Sequence, residues 1–229
     1  MLVKKWNKLP AEMQTEAVRP YYNLLRKRNF SLFWKRVFDF SVSTFMLIFL
    51  CPMFLVLALA IKIDSRGPVF FRQERVTQYG RRFKIFKFRT MVNNADKAGA
   101  QVTVQNDMRI TRVGKFVRKC RLDEISQLID VWRGKMSFVG TRPEVPKYVE
   151  RYTEEMLATL LLPAGVTSEA SIKFKDEDEL LKDAENIDDT YVEVVLPKKM
   201  EYNLQSLKKQ GFWRDIGTMF KTVGAVLKR

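Results

Sequence analysis

The polarity of the chain changes abruptly at residue 40: from Phe40 to Ile61 no charged residue occurs, whereas both flanks are dense in lysine and arginine. A helix over that run, rising about 1.5 Å per residue, is long enough to cross a hydrocarbon layer. Pro52 lies near its midpoint, where it removes one ladder donor and collides with the preceding turn, so a break is predicted at Cys51-Pro52. Basic residues stand before the run (Arg26, Lys27, Arg28, Lys35, Arg36) and after it (Lys62, Arg66, Arg72, Arg75, Arg81, Arg82), and the positive-inside rule keeps both ends on one side. A helix bent at Cys51-Pro52 that enters and leaves by the same leaflet meets both conditions and is preferred to a tilted single span. A cleaved signal peptide does not fit, because the run starts far from Met1, is too long and lacks a small-residue cleavage site.

Around this run the pattern is shorter in range. Met1 to Asn29 reads as a polar, partly helical lead-in suited to lie on a membrane, and Phe30 to Asp39 adds aromatics among Lys35 and Arg36, the mark of interfacial anchoring. Ser65-Arg66-Gly67-Pro68 stops the apolar helix. Val69-Phe70-Phe71 and Phe83-Lys84-Ile85 then read as two short strands of a hairpin joined through Gln78-Tyr79-Gly80. Ala95 to Asn106 is polar and aperiodic, a loop leading to Asp107-Met108-Arg109. Ile125, Leu128, Ile129 and Trp132 recur at helical spacing before Gly134, which puts Asp123 and Glu124 at that helix's start. Pro143 and Pro146 open a stretch in which Val145, Tyr148, Val149, Tyr152, Met156 and Leu160 share one face up to Pro163-Ala164-Gly165. Asp176 to Asp189 is an acidic, solvated helix and loop. In the tail from Phe212, Ile216, Met219, Phe220 and Val223 fall on one side, as suits either a helix on lipid or a core helix. The predicted fold class is α+β, mainly helical, with a small β-hairpin, divided into a membrane part (residues 1–66) and a catalytic part with interfacial helices (residues 67–229).

The formal charge of +15 admits a nucleic-acid surface or attraction to anionic lipid and phosphate. The apolar run tips the balance to lipid, so no nucleic-acid partner is expected. Cys51 and Cys120 are the only cysteines and frame neither a disulfide network nor a metal site. Histidine is absent, which removes Ser-His and Cys-His nucleophile systems and the commonest zinc ligand. Chemistry then rests on carboxylates and cations. A carboxylate is ionised at neutral pH and can attack phosphorus without a base, while a neighbouring carboxylate helps hold a divalent cation, so Asp123-Glu124 suits phosphoryl chemistry. Arg118, Lys119, Arg121 and Arg142 could receive phosphate charge. Acidic residues in a helix's first turn are, however, more often caps than catalysts.

Several ordered motifs sharpen the choice. Lys35-Arg36-Val37-Phe38-Asp39 is followed by Gly67-Pro68-Val69-Phe70-Phe71-Arg72-Gln73, then Phe86-Lys87-Phe88-Arg89-Thr90-Met91 and Arg109-Ile110-Thr111-Arg112-Val113-Gly114. Leu122-Asp123-Glu124 with Gln127-Leu128 comes next, and then Gly134-Lys135-Met136-Ser137-Phe138-Val139-Gly140-Thr141-Arg142-Pro143. In this succession the chain, from about Lys35 onward, resembles the bacterial sugar transferase family, the monotopic phosphoglycosyl transferases. The resemblance implies transfer of a sugar 1-phosphate from a UDP-sugar to undecaprenyl phosphate at the cytoplasmic face of the bacterial inner membrane, initiating glycoconjugate assembly. It implies a covalent phosphosugar on Asp123, release of UMP, and Glu124 assisting metal or proton handling, with Mg2+ held by Asp123 and Glu124. Arg118 and Arg142 take phosphate-binding positions, joined by Lys87 and Arg89, whose alternative role is to cover an exposed strand. Cys51 and Pro52 form the helix break, and Lys35, Arg36 and Asp39 stand where the helix enters the membrane, as a salt bridge or against lipid headgroups. A homodimer is compatible with this reading.

The chain departs from the family pattern at Cys51, where serine is common, Thr77, where glycine is frequent, Lys135, where an acidic residue is usual, and Thr141, where a proline is. Pro163 to Lys175 also differs, and sugar choice could be encoded there. Two rival readings stand: a basic membrane-tethered scaffold without catalysis, and a glycosyltransferase that moves the sugar without its phosphate.

Overall fold

The computed structural model describes residues 2–93, 108–174 and 186–227. Three helices follow one another on the N-terminal side: α1 (Arg19–Lys27), α2 (Asn29–Phe49) and α3 (Cys51–Asp64). Leu50 alone separates α2 from α3, Pro52 sits in the first turn of α3 where its missing N–H costs nothing, and the two axes bend by 62°. The break falls where the proline placed it. No single helix among the described residues is long and apolar enough to cross a membrane, but the bent pair meets the length and composition requirement together.

The helix α2 is polar on the inside. Its buried positions are Leu32, Lys35, Asp39 and Ser43, three or four residues apart and therefore on one face. Phe38, Val42, Met46 and Leu47 pack on the core beside them, while the opposite face is turned away from the protein: Phe45, Ile48 and Phe49 are 69, 72 and 72 % exposed, and Phe30, Phe33, Trp34 and Phe40 join them. Leu55, Val56, Leu59 and Ile63 continue this surface on α3. Lys35 Nζ donates to Asp215 Oδ2 at 2.6 Å and to Val139 O at 2.9 Å. Arg36 donates to Val131 O and Trp132 O, and Asp39 Oδ1 accepts from Phe138 N. These three residues thus bolt α2 onto the rest of the protein.

The lead-in is not a separate surface layer. Val3, Leu9, Met13, Val18, Tyr21, Tyr22 and Leu25 are buried in one cluster with Val76, Tyr79, Leu160, Leu161 and Leu204. Their spacing is irregular because 3-10 turns and loops carry most of them, so no amphipathic period announced the burial.

Short strands follow α3. β2 (Glu74–Val76) pairs antiparallel with β3 (Arg82–Lys84) across the Gln78–Gly80 turn, as the hairpin reading requires, and β1 (Phe70–Phe71) pairs with β4 (Lys87–Phe88) outside them. The expected partner of Phe70-Phe71 is thereby shifted to the next segment. Further along, α4 (Arg112–Lys119) is capped by Thr111, whose Oγ1 accepts from Gly114 N. A 3-10 segment, Leu122–Gln127, runs into α5 (Leu128–Trp132). β5 (Met136–Val139) and β6 (Ala164–Thr167) form a parallel pair that periodicity did not reveal. They close up at two glycines: a Cβ on Gly165 would lie 2.2 Å from Gly140 N.

The helix expected from Pro146 to Leu160 is broken into α6 (Pro146–Val149) and a 3-10 turn, Met156–Leu161. Thr153 restarts it, its Oγ1 accepting from Met156 N, while Tyr21 OH donates to Glu155 Oε1. The C-terminal region adds α7 (Glu169–Lys173), α8 (Ile187–Thr190), a π turn, α9 (Leu196–Lys208) and α10 (Phe212–Leu227). The face predicted for α10 splits. Met219 packs into the core beside inward-facing Asp215, Thr218 and Thr222, whereas Trp213, Phe220 and Val223 are exposed. The loop expected over Ala95 to Asn106 and most of the acidic stretch from Asp176 lie outside the described residues.

Candidate active site

Asp123 and Glu124 owe their place to a sharp reversal after α4. Arg121 adopts the left-handed region (φ 52°), which costs a non-glycine residue about 1–2 kcal/mol, and the 3-10 turn begins at once behind it. Phe86 fixes that turn against the strands: its N–H donates to Asp130 Oδ2 at 2.8 Å and its carbonyl accepts from Ser126 Oγ at 3.1 Å. Burial pushes the Asp130 carboxyl up to about 6, against the opposing pull of that N–H and of Arg72 and Arg133. With Phe86 held, Lys87 on β4 is delivered to Glu124.

Glu124 is saturated with cations. Arg142 grips it as a two-pronged fork, Nη2 to Oε1 at 2.6 Å and Nη1 to Oε2 at 2.9 Å, and Lys87 Nζ adds 3.1 Å to Oε1. Burial works to raise this carboxyl, but Arg142 and Lys87 outweigh it and hold it well below the usual carboxylate range. Arg142 also donates to Val166 O on β6, so the strand pair without which this fork would be loose is the one built on Gly140 and Gly165.

Asp123 is in a different situation. It is half-buried in the wall of a cavity of about 830 Å³ that is also lined by Arg72, Arg75, Lys87, Arg109 and Arg118. Burial, and then repulsion from Glu124, push its carboxyl above the ordinary value, with Lys87 and Arg118 opposing. Two adjacent carboxylates are thus driven apart, one permanently charged and capped, the other facing open space. Arg118 is aimed by Thr90, whose Oγ1 accepts from its Nε at 2.8 Å.

The structure brings Lys87, Arg118 and Asp123 together around the cavity and sets Arg142 behind Glu124. Arg89 touches the cavity wall but gives its N–H groups to the carbonyls of Ile61, Ser65 and Arg66, at the end of α3. Lys119 and Arg121 are exposed. Two departures from the family pattern meet: Thr77 Oγ1 donates to Lys135 O and accepts from Ala164 N, tying the hairpin to β5 and β6. Sequence reasoning missed Thr90, Ser126 and Asp130, and a buried group beside the cavity. There Glu144 Oε1 accepts from Tyr191 OH at 2.7 Å, and Lys199 Nζ donates to Tyr191 OH at 2.9 Å. Thr90 stood in a motif without a role, and the others stood in none.

No cluster of three or more His, Cys, Asp or Glu side chains that could hold a metal occurs among the described residues. The donor set fits an ion that takes Asp123 and borrows the rest of its ligands from substrate phosphate and water, the habit of magnesium. Glu124 fits less well than its neighbour, because both its oxygens are engaged by Arg142.

Gly114 bears on this geometry. A Cβ there would lie 2.0 Å from the Thr90 carbonyl oxygen, so Gly114→Ala must push α4 away from the segment after β4 whose Thr90 aims Arg118. The expected cost is about 1–3 kcal/mol, read as a lower melting temperature. Affinity for phosphate-bearing ligands should fall with it.

Comparison with known proteins gives the family of the chain. The family model for bacterial sugar transferase matches residues 30–229. The chain is 34 % identical over 198 residues to UDP-N-acetylgalactosamine-undecaprenyl-phosphate N-acetylgalactosaminephosphotransferase of Aeromonas hydrophila, covering 85 % of this chain and 44 % of that protein. It is 36 % identical over 194 residues to UDP-glucose:undecaprenyl-phosphate glucose-1-phosphate transferase of Escherichia coli (strain K12), covering 82 % and 39 %. A putative undecaprenyl-phosphate N-acetylgalactosaminyl 1-phosphate transferase of Bacillus subtilis (strain 168) is 39 % identical over 122 residues, 53 % of this chain and 68 % of that one. The chain thus spans less than half the length of the first two relatives. The matched region begins at the foot of α2 and takes in Asp123, Glu124 and every cation around them, and the chain belongs to the bacterial sugar transferase family.

Proposed function

We propose that the chain transfers a sugar 1-phosphate from a UDP-sugar to undecaprenyl phosphate, at the cytoplasmic face of a bacterial inner membrane, as the first step of glycoconjugate assembly. The observation that carries this reading is the contrast between the two carboxylates: Glu124 is neutralised by Arg142 and Lys87, while Asp123 faces a cation-lined cavity large enough for a nucleotide sugar. An Asp123 oxygen attacks the sugar-linked phosphorus, a P–O bond to the carboxylate forms, and the bond to the bridging oxygen breaks so that UMP leaves with that oxygen. The lipid phosphate then attacks the same phosphorus, and the Asp123 carboxylate is regenerated. Arg118 and Lys87 offset the charge that the diphosphate brings, and Glu124 fixes Lys87 and Arg142 in place. Magnesium, held by Asp123 and the substrate phosphates, would supply further charge neutralisation. The names of the relatives support this donor and acceptor.

Membrane placement rests on α2, α3 and α10, each of which leaves a row of large apolar side chains exposed, while α2 turns Lys35, Asp39 and Ser43 toward the protein. A bent pair entering one leaflet would hold Asp123 near headgroup depth, where a lipid phosphate can reach it.

The test is a panel of UDP-sugars given to the protein without acceptor. UMP released in a burst of about one equivalent, with a phosphosugar adduct mapped to Asp123, is the expected result. Release of UDP, or turnover only when both substrates are present together, would overturn the mechanism. The acid limb of the activity profile tests the electrostatics. Asp123 must be ionised to attack, and Lys87 lowers its pKa. Lys87→Met therefore should move the acid limb to higher pH, and a limb that stays still or moves down would contradict the assignment.

A further inference from the structure

Arg75, on β2, reads in the sequence as a topological cation flanking the apolar run, yet its guanidinium stands in the wall of the Asp123 cavity. Nη1 donates to Pro143 O at 3.1 Å and Nη2 to Gln73 Oε1 at 2.6 Å. A guanidinium carries five N–H donors, so these two bonds orient the group without exhausting it. Its charge is not exhausted either. Glu144, the carboxylate behind it, is shared with Tyr191 OH and with Lys199 Nζ at 3.5 Å, and Glu124 is shared with Arg142 and Lys87. Burial disfavours the charged form of Arg75, Glu144 favours it, and Arg142 adds like-charge repulsion, with burial prevailing. The residue is half-buried, its Nε is shielded from solvent without a hydrogen-bond partner, and a desolvated cation of this kind gains when an anion completes it. Residues 142–144 connect these features: Arg142 grips Glu124, the Pro143 carbonyl aims Arg75, and Glu144 anchors the buried group.

We propose that Arg75 is a phosphate-binding residue of this cavity, oriented by Gln73 and Pro143 and backed by the Glu144, Tyr191 and Lys199 group. The proposal rests on the transferase reading and adds to it a residue that neither the motifs nor the carboxylate pair pointed to. The phosphate could be the donor's diphosphate or the lipid acceptor's monophosphate, and the two half-reactions separate them. In one arm, UMP burst is measured against UDP-sugar concentration without acceptor. In the other, the preformed adduct is discharged by increasing polyprenyl phosphate.

Arg75→Gln is expected to raise the half-saturating concentration about tenfold or more in at least one arm, which identifies the source, and Arg75→Lys should recover part of the loss. Unchanged half-saturation in both arms overturns the proposal. If Arg75→Gln melts early, Gln73→Met decides: it keeps the charge and removes the orienting oxygen, so a rise of about threefold or more supports the role and no change refutes it. A wild-type protein that releases no UMP and forms no adduct removes the transferase reading, and this one with it. That result is distinct from normal wild-type kinetics beside an indifferent Arg75→Gln.

Discussion

Asp123→Asn should abolish the phosphosugar adduct and lower turnover by at least ~10³-fold, the scale on which removal of a covalent nucleophile acts. The substitution is nearly isosteric, and its informative feature is that stability should not fall with activity. The Asp123 pKa is raised by burial and by Glu124, so the charged form is disfavoured in the folded protein. A carboxyl of that kind stabilises the fold below its unfolded pKa and loses that contribution as pH rises through its folded one. At neutral pH the asparagine should therefore leave the melting temperature equal or higher. A helix-capping role predicts the reverse, with lower stability and retained chemistry. Intact-mass analysis after incubation with donor, paired with thermal unfolding, distinguishes the two, and normal turnover by the variant would sink the assignment of the nucleophile.

Arg142→Leu is expected to produce the other large effect, and through a different route. It leaves Glu124 beside Lys87 after losing both prongs of the Arg142 fork. The pair is partly buried, and breaking one partner out of it costs less than the roughly 3–5 kcal/mol of a fully buried pair, about 2–3 kcal/mol, so the melting temperature should drop and turnover should fall ~10²-fold or more. In the wild type the Glu124 pKa is depressed, and its contribution to stability is present above the unfolded value and lost as pH falls through the folded one. Without Arg142 that acid-side loss should move to higher pH. Arg142→Lys restores the charge but neither the fork nor the full tie to Val166 O, and should recover only part of the activity. Full recovery by lysine would show that charge alone matters at this position.

The legible parts of the molecule are those where one residue's covalent chemistry dominates its neighbourhood. Pro52 set the break between α2 and α3, and the Gln78–Gly80 turn set the hairpin. Ile125, Leu128, Ile129 and Trp132 located the helical segment behind Asp123, although its first turn proved to be 3-10. What stayed hidden depends on partners far apart in sequence. The burial of the lead-in against Leu160 and Leu204, the parallel pairing of β5 with β6, and the meeting of Glu144 with Tyr191 leave no local period. In the candidate site, the motif words contained Asp123, Glu124, Lys87 and Arg142, and the structure brings these together with Arg118. They did not say that Arg89 serves the end of α3 or that Arg142 stands behind Glu124, because side-chain direction follows from the tertiary packing.

The bolt between Lys35 and Asp215 joins positions 180 residues apart. During synthesis α2 leaves the ribosome long before Asp215 exists, so until then Asp39, one turn along the same face, is the only carboxylate of the helix that can offset Lys35. Docking can finish only when the last helix arrives, and a chain cut short before Asp215 would hold its anchor by Arg36, Asp39 and the Val139 carbonyl alone.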